Sequence, residues 1–336
     1  MKNIKNSTLL VIFGVLALLV VIFYLYDSKK GERSFRSELF TIDSARVNKF
    51  TIYPKTGKKQ PLVLAGLGKT WTITSGNKTY PADTSVVYQV ISSLISAKPE
   101  RVAGTDKASW KEFEVTDSSS IRVVAEQGSD VVADFRVGKM SYSMGGRGNG
   151  GRQRMVVKSH IRVAGDDRVY VVDGFISMLF GDDASAYRNR ILCRFNRSQV
   201  NKLTFTCPGD SSFILLKQDK KWMLCEKPAD SVAVVHYIGS IANLFNGEFA
   251  DEKEIPLTFP FTLKIEGANF ATVEMQGSAS EETKRYFVKS AMNPAVFGGL
   301  TPSLFRQVFP GKGKFEPGKT VSKPGKKKKD EQAQAL

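Results

Sequence analysis

The chain has 336 residues, 42% hydrophobic and 24% charged. This is close to globular averages, so the body can bury a core, and the length suits about two domains. The formal net charge is +16, which fits an anionic lipid, nucleic-acid or acidic-glycan partner as well as a simply soluble basic surface. The three cysteines, Cys193, Cys207 and Cys225, form no C-x-x-C pair and no metal-ligand spacing. They read as buried thiols, or as one disulfide plus a free thiol if the body meets an oxidising compartment.

Thr8 to Tyr26 reads TLLVIFGVLALLVVIFYLY, without a charge. As a helix it would span about 28 Å, near the hydrocarbon thickness of a bilayer. Phe23, Tyr24 and Tyr26 end the run, where aromatics favour the interface. No A-x-A cleavage pattern follows, so the run predicts an uncleaved transmembrane anchor in contact with the lipid bilayer. Lys29, Lys30, Arg33 and Arg36 outnumber Lys2 and Lys5, which by charge count alone favours a cytoplasmic body. The very short N-terminal flank has the layout of a signal-anchor. The expected location is therefore the bacterial inner membrane, single-pass, with a periplasmic body; a cytoplasmic-facing body is the alternative.

A repeat organises the rest. Val47-Asn48-Lys49-Phe50-Thr51-Ile52 reappears as Val200-Asn201-Lys202-Leu203-Thr204-Phe205. Lys69-Thr70-Trp71 reappears as Lys220-Lys221-Trp222, and Pro81-Ala82-Asp83 as Pro228-Ala229-Asp230. Order and spacing hold, as in a duplicated module. In each copy alternating strands lead to a helix capped by Asp83 or Asp230. The predicted apolar stripes are Val86, Val87, Val90, Ile91, Leu94 and Ile95, then Val234, Val235, Ile238, Ile241, Ala242 and Phe245. Strands follow near 121–126, 131–137, 154–159 and 168–172, and a short helix, Gly174 to Phe180, closes the first copy. The fold class expected is α+β: an N-terminal single transmembrane helix, then two tandem antiparallel-sheet-plus-helix modules. The expected boundaries are 1–36 for anchor and linker, 37–192 and 193–310 for the copies, and 311–336 for a disordered basic tail rich in Lys, Pro and Gly. Trp71 and Trp222 read as core residues, with ligand stacking as the alternative.

With these motifs in place, the chain resembles the bacterial family known as domain of unknown function 4340 (DUF4340). Trp110 to Asp117, W-K-E-F-E-V-T-D, is similar to the segment that family carries after its first helix. The resemblance implies a membrane-anchored envelope protein of a kind often encoded near ABC-type transporter and gliding-motility-type membrane components. It brings no catalytic residues.

The remaining residues suggest no catalytic, cofactor-binding or metal site. His160 and His236 read as ordinary surface or half-buried residues, since a triad needs its base placed beside a nucleophile. Asp166-Asp167 and Asp182-Asp183 read as solvated loop pairs. Gly145 to Gly151 is glycine-rich but lacks the G-K-[ST] of a phosphate loop. It reads as a flexible hairpin insertion bearing Arg147, Arg152 and Arg154, with Lys158 and Arg162 beyond. These five form the candidate interaction patch, for an acidic partner or phosphate; a solvated loop is the bland alternative. No nucleic-acid-binding signature appears. The expected function is a non-enzymatic, membrane-anchored interaction or scaffold protein of the cell envelope, accessory to an ABC-type transporter complex by resemblance. The alternative is an envelope enzyme or glycan-binding module using a cleft between the two copies.

Overall fold

A computed structural model describes Leu18 and residues 36–55, 59–147, 153–250 and 254–318. The chain divides into two compact units between Arg188 and Asn189.

In unit 1 the alternating pattern builds β1 (Lys49–Tyr53), β2 (Leu62–Leu67), β3 (Thr70–Ser75) and β4 (Lys78–Pro81). Helix α1 (Thr84–Ile95) and β5 (Pro99–Gly104) follow. Then come β6 (Ile121–Gln127), β7 (Asp130–Arg147), β8 (Gln153–Val163), β9 (Val169–Asp173) and the single turn α2 (Ile176–Leu179). The nine strands form one sheet in the order β4-β3-β2-β1-β6-β7-β8-β9-β5. Phe50, Ile52, Leu64, Trp71, Ile73, Phe135 and Ile161 turn to one face. There α1 lays Val87, Val90, Ile91 and Leu94 against them. The Asp83 side chain starts α1 by accepting from the Ser85 amide at 2.9 Å, satisfying one of the orphan donors of the first turn.

Unit 2 contains β10 (Ile191–Arg194), β11 (Val200–Thr206), β12 (Phe213–Gln218), β13 (Lys221–Leu224) and β14 (Lys227–Pro228). Helix α3 (Ser231–Ile241) and β15 (Asn243–Phe245) come next. The unit finishes with β16 (Phe261–Gly267), β17 (Val273–Ser280), β18 (Arg285–Ser290), β19 (Asn293–Gly299) and α4 (Ser303–Val308). Its large sheet runs β14-β13-β12-β11-β16-β17-β18-β19, while β10 and β15 pair separately. Trp222 lies in this core, as Trp71 lies in the other.

These observations correct the expected α+β class. Among the described residues the chain is built mostly of antiparallel strand, and its longest helix has 12 residues. The reason is local: Gly174 to Phe180 yields only the four-residue α2, and the strand expected at 131–137 continues to Arg147. Two short helices in each unit make a minor layer beside the sheet. No helix among the described residues is long and apolar enough to cross a membrane. The anchor expected at Thr8–Tyr26 lies outside the described residues, Leu18 apart. The first residues of the tail expected from Gly311 are folded. Lys312–Phe315 forms a 3-10 turn whose Phe315 is buried beside Phe205, Phe213 and Tyr237; residues from 319 lie outside the described residues.

Candidate functional site

The face of the first sheet opposite α1 is also covered. Lys107–Trp110 forms a 3-10 turn capped by Asp106, and the Val115 amide closes the following loop on the Trp110 carbonyl at 2.9 Å. This strap, Trp110 to Asp117, presses so closely on β7 that a Cβ at Gly138 would sit 2.1 Å from the Phe113 carbonyl oxygen. Only glycine fits there. Beneath the strap three arginines stand in register on neighbouring strands: Arg122 opposite Arg136, and Arg136 opposite Arg162. Like charges placed so destabilise a sheet unless matched. Asp134 forks onto Arg122 at 2.6 and 2.9 Å. Asp117 of the strap takes Arg136 at 3.0 Å and Arg162 at 2.9 Å. Burial, with Arg162 and Arg122 alongside, lowers the Arg136 pKa although Asp117 opposes it. Arg162 also donates to the Val115 carbonyl and lies 3.7 Å from the Trp110 ring centroid, a close cation–π contact.

His160 is buried in the same face. Its Nδ1 donates to the Lys139 carbonyl at 3.0 Å and its ring stacks on Phe113. Burial lowers its pKa. The other groups singled out from the sequence also have structural partners. Asp166 accepts from Arg168 and from the Tyr170 hydroxyl, and the Asp167 carbonyl accepts from Trp110 Nε1. Asp182 pairs with Lys59 at 2.8 Å, and Asp183 caps Ala184–Ala186. Cys193 is buried, Cys207 half-buried and Cys225 exposed, and all three are free thiols. Burial pushes the Cys193 thiol up to about 11, and its Sγ donates to the Ile241 carbonyl. His236 lies exposed on α3.

The five residues of the expected patch divide. Lys158 and Arg162 share the strap-side face of β8, and both are ion-paired: Lys158 to Glu100 and Asp173, Arg162 to Asp117. Arg147 and Arg154 lie on β7 and β8. Arg152 lies outside the described residues.

Among the described residues, three features stand out for contact with other molecules. A polar cavity of about 380 Å³ beside β2, β3 and β4 is bordered by Lys59, Lys78, Tyr80, Asp182, Asp183 and Arg188. Within it the Arg188 guanidinium sits 3.9 Å from the Tyr80 ring centroid. The second feature is the far end of the β7–β8 hairpin, where Tyr142, Met144 and Met155 are exposed. The third is α3. Its inner stripe is Val234, Tyr237, Ile238 and Ile241. Its outer stripe is Val232, Val235, His236 and Gly239, with Val232 79% and Val235 58% exposed. A helix apolar on both faces is normally a covered helix. Val235 and Phe245, expected in the buried stripe, are exposed; Phe245 belongs to β15. Val234 and Val235 are both apolar and adjacent, so hydropathy alone does not separate the buried stripe from the exposed Val232–Val235 pair.

No curated protein and no solved structure matches the chain. The family description "Domain of unknown function (DUF4340)" matches residues 71–260, from β3 of unit 1 past β15 of unit 2. That match covers more than half of the chain and includes the strap, the hairpin and α3. The chain belongs to the DUF4340 family.

Proposed function

We propose that this protein is a non-catalytic interaction protein of the cell envelope, held at a membrane through the uncharged run Thr8–Tyr26 with its body on the outer side. It serves as an accessory subunit of a larger membrane complex, of the ABC-transporter kind by family resemblance. The outer stripe of α3 carries the reading. Val232 and Val235 on a well-capped helix present an apolar ridge to which a partner helix or groove can dock. The groups best suited to chemistry support it from the other side: His160 and Cys193 are buried and bonded to backbone carbonyls, and Asp166 is held by Arg168 and Tyr170.

The test is site-specific photocrosslinking in intact membranes. A photoreactive residue at Val235 should give one discrete product with another membrane-complex protein. The same residue at Ser92, on the outer face of α1, should give none. Equal products at both sites, or none at either, would remove the reading. A second reading, a ligand-binding module, is favoured by the polar cavity of unit 1. It predicts instead that an acidic glycan protects Lys59 and Lys78 from amine labelling.

A further inference from the structure

The hairpin of unit 1 runs beyond its sheet. β6 pairs with β7 only as far as Val137, and β9 pairs with β8 only from Lys158. From Met140 to Arg147 and from Gln153 to Val157 the two strands pair with each other, and among the described residues no further strand joins them. An isolated two-stranded ribbon is marginal in water. Its register places Tyr142 opposite Val157 and Met144 opposite Met155, so these four share a face. Tyr142, Met144 and Met155 are 61%, 71% and 58% exposed. At the base of that face Ser177 bonds to Ser159 and to the Gly138 carbonyl, and its near neighbours Phe175 and Met178 are exposed too.

The arm's own sequence carries charge of one sign. Between Asp134 and Asp166 there is no Asp or Glu, while Arg147 and Arg154 fall in the projecting strands and Lys139 at their base lays its ammonium over the Phe113 ring. A second copy of the arm would bring like charges together. An anionic lipid surface supplies what the arm lacks: counter-charge for the bases and an interfacial medium for Tyr and Met. The chain length agrees. Ten residue steps separate Tyr26 from Arg36, so unit 1 starts within about 35 Å of wherever the uncharged run ends.

We infer that the β7–β8 arm is a second membrane contact, laying Tyr142, Met144 and Met155 into the headgroup region of an anionic bilayer. This rests on the reading that the chain works at a membrane, but not on the partner proposed for α3. The test uses the full chain with Cys207→Ser and Cys225→Ser, nitroxide-labelled at Met144→Cys or, as control, at Ser92→Cys. Vesicles are phosphatidylcholine alone or mixed with phosphatidylglycerol. In mixed vesicles the label at 144 should gain oxygen accessibility and lose accessibility to a water-soluble nickel complex, each several-fold. In neutral vesicles it should change little, and the control label should stay aqueous in both. An aqueous label at 144 in vesicles that carry the chain would overturn the arm contact, and equal entry into neutral vesicles would overturn its anionic preference. A label already immobilised before vesicles are added would assign the arm to a protein. Should the chain float with mixed but not neutral vesicles, with the label buried, attachment through Thr8–Tyr26 falls and the arm contact stands. Flotation with neither removes both.

Discussion

The hairpins β7–β8 and β17–β18 occupy the same place in two sheets that share the order of eight strands, the first adding β5 at its edge, and they end differently. In unit 2, β17 and β18 have eight and six residues and close through Glu281, Glu282 and Thr283. In unit 1 they have 18 and 11 residues, with a glycine-rich, acid-free end. The central helices differ in the same way. Counted from the capping aspartates, the outer stripe of α1 has Ser85, Tyr88, Gln89 and Ser92, with the Tyr88 hydroxyl tied to the Gly68 carbonyl, whereas that of α3 has Val232, Val235, His236 and Gly239. What the sheets share holds each unit together, and what they do not share faces outward. The strap is a third difference: the Trp110–Asp117 cover of the arginine row belongs to unit 1.

The shared parts should carry the largest costs. Trp71→Ala and Trp222→Ala each empty a buried core position and should destabilise by about 3–5 kcal/mol. Calorimetry of the full chain, resolving two transitions, should show each variant lowering the transition of its own unit. If either melts like the parent, that Trp does not belong to the core. Next comes the strap. Asp117→Asn leaves Arg136 and Arg162 short of their shared carboxylate, and because that carboxylate is largely exposed the cost should be about 1 kcal/mol. Hydrogen exchange should report the loosening in unit 1 and leave unit 2 unchanged.

Acid should distinguish the units further. Burial works against the Asp166 carboxylate, but hydrogen bonds from Arg168 and Tyr170 outweigh it and hold its pKa well below the usual carboxylate range. A depressed carboxylate contributes stability that is full above its unfolded pKa, about 3.9, and is lost as pH falls towards the folded value. His160, lowered by burial, adds a loss that begins as pH falls through about 6.5, because the unfolded state takes the proton first. Melting of unit 1 between neutral pH and acid should therefore decline in two stages. Asp166→Asn should flatten the lower stage, and an unchanged acid limb in that variant would refute the assignment. The arm should matter least to folding. Replacing Tyr142 through Met155 by a short turn, as in unit 2, should shift stability by less than about 0.5 kcal/mol.

Much of the framework was legible because its signals are local. A P-A-D triplet before apolar residues places a capping aspartate, and Trp71 and Trp222 recur beside the same strand motif. The balance of strand and helix was not legible. It depends on how far a strand pattern persists: the alternation of Met140, Tyr142 and Met144 with serines continues β7, but next to a glycine-rich run, and with Tyr142 and Met144 exposed no buried face marks its extent. Arg162 shows the same limit at the candidate patch. Its sequence neighbourhood is basic, yet its partners Asp117 and Trp110 come from more than forty residues away. Only the tertiary fold brings that carboxylate and ring to it.

The most direct test is the Val232→Glu, Val235→Glu double variant, followed by calorimetry and by the size of the complex extracted from membranes in mild detergent. The account predicts melting within about 0.5 kcal/mol of the parent, because both side chains face outward, together with collapse of the complex to the free chain. A complex of parental size would contradict it, and so would a melting loss as large as that of Trp222→Ala.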